Sequence, residues 1–566
     1  MVHSLKTTST IPLNGQDNAW ISLFASDIKR PGGGSLNGLR FAIKDNIDFQ
    51  GVPTTAACPA FSFTPEKSAT AVSRLLSAGA ALVGKTNLDQ FACGLNGTRS
   101  PYGAVANAFN PAYVSGGSSA GSAYVVATGQ VDFSLGTDTA GSGRVPAGLN
   151  NIVGLKPSKG LISAAGVLPA AQSVDCVSIF ARTVDVAVRV LEVAMGHDAD
   201  DPYSRKLSLK VQTLPRRFRF GVPDRLEFFG DALSEKCFQN AVARMEQLGG
   251  TAVTIPYAPL AQAAALLYES ALVSERYAAI RSFFDQHETD VIEPVRSIVA
   301  KGRQFNAADV FEAQTQLRAL GQQADAMWAD IDVLLLPTAP THYTIAQMQA
   351  DPIALNRNLG AYTNFVNLLD YAALSVPSEI RADGLPFGVT LVGPCASDWQ
   401  LAELGQRYHH ATGLLQGALQ LPLPEPAEIS GLHEVHTLRV AVVGAHLSGM
   451  PLNSQLVERH ATLLASTHTS PDYKLFALPK TQPPKPGLLR VTPGTGSPIE
   501  VELWEMPQAQ FGSFMALIPE PLGIGNIKLA DGSTVKGFIC EPLALEGATD
   551  ISSFGGWRNY LASLSA

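Results

Sequence analysis

Residues Gly116–Gly160 read GGSSAGSAYVVATGQVDFSLGTDTAGSGRVPAGLNNIVGLKPSKG. The stretch holds ten glycines, many serines and threonines, and before Lys156 only three charged residues, Asp132, Asp138 and Arg144. So few charges exclude a solvated surface, and the apolar runs Ala123–Ala127 and Ile152–Leu155 exclude a flexible linker. What remains is backbone packed close to something, with glycine where a Cβ would obstruct or φ must be positive. Successive N–H groups in such a loop converge on developing negative charge, as an oxyanion hole requires.

Two serines stand out. Ser118 lies in Gly-Gly-Ser-Ser, and Ser142 lies in Asp-Thr-Ala-Gly-Ser-Gly-Arg, 24 residues later. Upstream, Leu39–Lys44 (LRFAIK) reads as a buried strand that delivers one lysine at its end. Taken singly, each serine is a turn or helix cap and the lysine is a side chain that snorkels to solvent. Together, a lysine and two serines around a glycine-rich loop make a complete hydrolytic apparatus.

These motifs are Ala-Ile-Lys44-Asp-Asn, Gly-Gly-Ser118-Ser-Ala-Gly and Gly-Thr-Asp-Thr-Ala-Gly-Ser142, followed by Gly154-Leu-Lys-Pro. In that order and spacing they resemble the amidase signature family over about residues 20–412. Ala140 replaces the first glycine of the commoner Gly-Gly-Ser, which is similar to the allophanate hydrolase branch. The resemblance implies an amidase signature fold, a mixed central β-sheet covered by helices. It also implies a small C-terminal α/β domain akin to the gamma-glutamyl cyclotransferases. The implied activity is hydrolysis of the terminal amide of allophanate by a Ser-cisSer-Lys triad, with no cofactor and no metal. In that scheme Ser142 is the nucleophile, Ser118 the relay and Lys44 a neutral base. The N–H groups of Thr139, Ala140, Gly141 and Ser142 receive the oxyanion, while Gly94, Tyr268 and Arg276 bind the substrate. A guanidinium suits the substrate carboxylate because it offers two parallel hydrogen bonds. Free lysine titrates near ~10.4, so burial with few carboxylates nearby must depress Lys44. His446 is the candidate for decarboxylating N-carboxycarbamate in the C-terminal domain, with an assembly module as the other reading. A homodimer and a functional link to a biotin-dependent urea carboxylase are also implied. The rival assignments are the glutamine-hydrolysing subunit of a tRNA-dependent amidotransferase and a broad-specificity amidase.

Composition sets bounds on all of this. A chain of 566 residues exceeds one ordinary hydrophobic core, so a large domain plus a smaller one is expected. Hydrophobic residues make up 46% and charged residues 16%, which implies a thick core under a sparse charged skin. A net charge of −8 argues against a nucleic-acid footprint. No apolar run approaches the ~18 residues of a membrane span. The start, MVHSLKTTSTIPLNG, lacks the pattern of a secretory leader. Six scattered cysteines with no metal-ligand spacing fit reduced thiols in the cytoplasm.

Along the chain, Ser68–Ala78 has helical periodicity and Ala80–Gly84 reads as a short buried strand, which predicts an α/β sheet. Gln90–Gly97 is a backbone-exposing loop around Gly94. Leu161–Ile179 continues the sheet, and two strands, at 216–223 and 252–256, flank a helix over about 234–248. Leu260–Phe284 reads as one long helical region in which Tyr268 and Arg276, eight apart, share a face. Ile331–Pro340 is a buried strand running into a loop, Asn356–Asn367 a polar rim or satisfied loop, Leu385–Gly393 the last strand, and Trp399–Thr412 a closing helix. The domains are then 1–420, a proline-rich linker 421–432, and 433–566. In the last domain a strand at 438–446 leads into His446. A helix follows over 452–469, and Pro471–Pro498 is loop and edge strand. Ile499–Met506 is a strand with one wet face. Short strands are expected at 512–518, 527–529 and 535–540.

Overall fold

The computed structural model describes residues 18–30, 32–430, 432–433, 436–479 and 481–564. The N-terminal stretch read for a leader lies outside them. The chain divides into two compact units, Met1–Leu432 and His433–Ala566.

The first unit is built on a mixed sheet of eleven strands. In chain order these are β1 (Trp20–Ile28), β2 (Arg40–Lys44), β3 (Ala81–Thr86), β4 (Phe133–Asp138), β5 (Val153–Lys156), β6 (Cys176–Ala181), β7 (Phe218–Pro223), β8 (Gly250–Ile255), β9 (Val333–Pro337), β10 (Ala372–Ile380) and β11 (Pro386–Gly393). Across the sheet they run β1-β3-β2-β4-β6-β5-β10-β11-β9-β7-β8. β2 lies parallel to β3 and β4, and β7 parallel to β8 and β9, while β4–β6, β5–β10 and β10–β11 are antiparallel. β3, β4, β6, β9 and β11 are buried along their whole length, because helices cover both faces. Phe41 stacks on Phe133 between β2 and β4, with ring centroids 5.1 Å apart. This pairing sets the end of β2, and so Lys44, beside the end of β4, where the glycine-rich loop begins.

The helices Thr70–Ser77, Ala232–Gln247 and Asp398–Thr412 fall where periodicity places them. The 260–284 region departs from a single helix. One helix, Ala258–Glu269, ends at Ser270, a 3-10 turn spans Ala271–Val273, and a second helix runs Ser274–His287. Ser270 has extended backbone (φ −116°, ψ −178°) and its hydroxyl accepts from the Leu272 N–H, so it caps the new turn. Asn356–Asn367 is also more ordered than a loop, forming the helices Ala354–Leu359 and Asn364–Leu368. Within 421–430, expected as part of a linker, most residues are exposed, but Ile429 packs into this unit's core and the Ala427 N–H donates to Asp185 Oδ1 at 2.7 Å.

The second unit holds a five-stranded sheet, ordered Thr462–His468, Glu500–Pro507, Thr437–Val442, Thr534–Cys540, Leu522–Lys528, and a smaller sheet of three strands. Three expectations fail here. The helix over 452–469 is only Ser454–Val457, and Thr462–His468 is a strand, fixed by antiparallel pairing with Glu500–Pro507. Residues 512–518 carry the end of a helix, Gln508–Met515, instead of a strand. The strand Glu500–Pro507 lies between two neighbours and is covered on both faces, so Glu502 is buried. There its carboxylate takes hydrogen bonds from the Ser448 N–H, Trp504 Nε1 and Arg558 Nη2.

Candidate active site

Lys44 arrives on the last residue of β2 with no exposed surface. Its Nζ donates to Ser118 Oγ at 2.8 Å and to Thr137 Oγ1 at 2.7 Å. Ser118 Oγ donates to Ser142 Oγ at 2.9 Å, and Ser142 Oγ lies 3.4 Å from the Gly94 carbonyl. Two hydrogen bonds thus join three side chains that lie 98 residues apart at their extremes in sequence. The Gly117–Ser118 peptide is cis.

Burial pushes the Lys44 ammonium down to about 7, although Asp89, Asp175 and Asp138 each favour its charged form. The expectation of few nearby carboxylates is therefore corrected: three are close enough to act, and desolvation outweighs them. Among the described residues Lys44 makes no ion pair.

The loop around Ser142 is held from below by Asp138, at the end of β4. Asp138 Oδ1 accepts from the Gly141 N–H at 2.9 Å and Oδ2 from the Gly143 N–H at 3.0 Å, one bond on each side of the serine. Arg144 meets the same carboxylate through Nε at 2.9 Å and Nη2 at 3.0 Å, both side chains fully buried. Burial alone would raise Asp138, but Arg144 and the Gly143 N–H hold it below the usual carboxylate range. Asn367 Nδ2 donates to the Asp138 carbonyl at 2.7 Å, tying a helix of the polar 356–367 run into the loop. Gly141 has φ 128°, and a Cβ there would lie 2.3 Å from Thr363 Oγ1, so only glycine fits.

Of the four N–H groups expected to face an oxyanion, that of Gly141 already donates to Asp138. Those of Thr139, Ala140 and Ser142 have no acceptor among the described residues. Ala140 packs with Ala171, Val174, Leu267 and Leu368, where the larger side chain fills the apolar patch under Tyr268.

Gly94 sits where a Cβ would meet Asp89 Oδ2 at 2.5 Å, and Gly117 is crowded by the same oxygen at 2.2 Å. Asp89 collects the N–H groups of Asn96, Gly97 and Arg99, and its own N–H donates to the Ser118 carbonyl at 3.0 Å.

Tyr268 and Arg276 come together despite the break between their helices. Arg276 Nη2 donates to Tyr268 Oη at 3.0 Å, and the guanidinium carbon lies 5.0 Å from the ring centroid. Arg276 is 4% exposed, and its Nε and Nη1 have no partner among the described residues. Buried guanidinium N–H groups left unpaired are costly and fit an anionic ligand. Tyr268 also lines a cavity of about 1140 Å³ with Leu95, Arg99, Asn356, Lys301 and Tyr362.

Sequence reading misses Thr137, Asp89 and Asp175. Asp138 and Arg144 are visible as rare charges in the loop, and their six-residue spacing is the available signal. His446 lies in the second unit. Its Nε2 is 2.9 Å from Gln455 Oε1, its ring stacks on Phe538 at 4.9 Å, and burial lowers its titration. Lys485 lines a small cavity with it. Among the described residues no cluster of His, Cys, Asp or Glu is arranged to hold a metal, and no helix is long and apolar enough to cross a membrane. All six cysteines are free thiols.

A paired-hydroxyl chain ending on a buried lysine, set in this mixed sheet, defines a class of hydrolase. The chain belongs to the amidase family, whose profile matches residues 18–402. Residues 438–562 match the allophanate hydrolase C-terminal domain. The chain is 44% identical to a urea amidolyase of Lachancea kluyveri over 98% of its own length, and spans about a third (32%) of that relative. It is 42% identical to the solved allophanate hydrolase of Kluyveromyces lactis, with a TM-score of 0.72, covering 97% of this chain and 94% of that one. A glutamyl-tRNA(Gln) amidotransferase subunit from a Synechococcus species is 32% identical, over 69% of this chain and 87% of that protein.

Proposed function

We propose that the first unit hydrolyses the terminal amide of allophanate to ammonia and N-carboxycarbamate. The observation that carries the chemistry is the chain Lys44 Nζ–Ser118 Oγ–Ser142 Oγ, at 2.8 and 2.9 Å, ending on an amine that titrates near neutrality. With Lys44 neutral, the two hydroxyls turn their protons toward the amine, and Ser142 Oγ attacks the amide carbon as its proton passes to Ser118 Oγ and that of Ser118 to Lys44 Nζ. The oxyanion meets the free N–H groups of Thr139, Ala140 and Ser142; removing one such donor typically costs about 2.7–4 kcal/mol of barrier. Collapse expels ammonia, which takes the proton back through Ser118. Water, deprotonated along the same route, then releases the acyl group as N-carboxycarbamate and restores Ser142.

The substrate assignment is supported by the unpaired edge of Arg276 beside Tyr268, which suits one small carboxylate, and by likeness to an allophanate hydrolase across both units. The amidotransferase relative covers 69% of this chain against 97% for the allophanate hydrolase structure, which favours allophanate over glutamine. Ser142→Ala should abolish ammonia release from allophanate in a folded protein. Arg276→Ala should raise KM for allophanate far more than for a neutral amide. Near-normal turnover by Ser142→Ala ends the proposal.

His446 is the candidate for decarboxylation of the product in the second unit, and its contacts with Gln455 and Phe538 fix the ring for that task. Carboxylation of urea is one reaction that supplies allophanate. On that reading this chain works beside a biotin-dependent urea carboxylase, which fits a relative named urea amidolyase of which this chain spans 32%. A cytoplasmic homodimer completes the proposal; sedimentation of the purified chain tests the dimer.

A further inference from the structure

Asp175 stands one residue before β6, and its charge is felt by both Lys44, the base of the proposed mechanism, and Arg276, its anion-binding group. Its Oδ1 accepts from Thr139 Oγ1 at 2.5 Å, and Oδ2 accepts from the N–H groups of Ala170 and Ala171 at 2.7 and 3.1 Å. Thr139 opens the nucleophile loop and offers one of its free N–H groups, while Ala171 packs with Ala140 and Leu267 under Tyr268. The carboxylate therefore fastens the loop to the wall that carries the anion-binding pair. Arg276 feels its charge, yet the two form no ion pair within 4.0 Å, and Arg276 Nε and Nη1 stay unpartnered among the described residues. The other charged or titratable groups facing it are Lys44 from β2 and its neighbour Cys176; Glu275 is turned away onto Ser173.

We propose that Asp175 is a positioning residue for the anion-binding side of the site: it locks Thr139 in place and presents the negative charge with which an incoming substrate carboxylate must share Arg276. This rests on the reading that Arg276 receives that carboxylate. Burial already lifts Asp175 to about 6. A second carboxylate beside the same guanidinium lifts it further, so an anionic amide binds with uptake of one proton. Its KM rises with pH above about 6, whereas that of a neutral amide does not.

The test compares malonamate, an anionic amide, with malonamide, its neutral counterpart, in the full chain and in Asp175→Asn and Asp175→Ala. Asparagine can keep all three hydrogen bonds, accepting from Ala170 and Ala171 and donating to a reversed Thr139 hydroxyl, so only the charge is lost. At pH 8 Asp175→Asn should lower the malonamate-to-malonamide KM ratio roughly tenfold, the equivalent of one pKa unit. Its malonamate KM should also lose the rise with pH. Asp175→Ala, with Thr139 untethered, should lower kcat for both amides well below that of Asp175→Asn. An unchanged KM ratio and pH dependence in Asp175→Asn overturns the proposal, as does failure of that isosteric variant to fold. If wild type does not favour the anionic amide and Arg276→Ala changes neither KM, the Arg276 reading has failed, and that is visible without any Asp175 variant.

Discussion

Replacing Lys44 with methionine should make this protein more stable at neutral pH while removing its activity. In the folded chain the amine titrates near 7, against an ordinary value of 10.5. At pH 7 the unfolded chain is protonated there and the folded one only half so, which costs folding roughly 4–5 kcal/mol, at 1.36 kcal/mol per unit. Methionine removes this cost and leaves Ser118 Oγ and Thr137 Oγ1 without a donor, a loss of roughly 1 kcal/mol each. The net gain at pH 7 is about 2–3 kcal/mol. The sign of the pH dependence follows from proton counts. Between 7 and 10.5 the unfolded state binds more protons at this site, so wild-type stability rises with pH while the variant's does not. The advantage should shrink by about 1.4 kcal/mol per pH unit and be gone near pH 9. Urea unfolding of the first unit at pH 7, 8 and 9, followed by tryptophan fluorescence, reads this slope, which does not depend on the hydrogen-bond figure. A stability difference that stays constant over that range refutes a neutral, buried Lys44, and with it the base.

Two further outcomes follow from the same geometry. Arg144→Met leaves Asp138 buried without its partner and should destabilise the first unit by roughly 3–5 kcal/mol, less at pH 5 than at pH 8 because protonating the carboxyl relieves the unpaired charge; chemical unfolding at both values checks it. Gly94→Ala places a Cβ 2.5 Å from Asp89 Oδ2, so the carbonyl beside Ser142 must shift. Ammonia release by the folded variant should fall on the order of a hundredfold, since placement on the ångström scale controls such steps. The melting temperature should fall as well, because Asp89 is held by three N–H groups and overpacking costs about 1–3 kcal/mol.

The first unit is legible in the sequence because its signals are local. Buried strands at β2, β3, β9 and β11 announce themselves as apolar runs, and the two serines and the lysine sit in motifs that name their own neighbourhood. Asp89 and Asp175 are not legible, since a carboxylate in a loop gives no sign of which amides will converge on it. Tyr268 and Arg276 pair as their spacing suggests, but for an incomplete reason: the continuous helix breaks at Ser270, and tertiary packing restores the contact. In the second unit the 462–468 strand reads as helix because leucine and alanine outweigh the threonines, and only its pairing with Glu500–Pro507 decides the matter. Glu502 misleads in the same way: alternation suggests a wet face, whereas Arg558 and Ser448 let it lie inside.

Asp138 pins the peptide on either side of Ser142, which turns the attacking residue into the apex of a closed ring. Its aim is set when the chain folds, so the nucleophile loop itself does not have to swing into place before each turnover. Such an enzyme should show little viscosity dependence in its acylation step, and on warming it should keep its specific activity until the first unit melts, then lose both at one temperature.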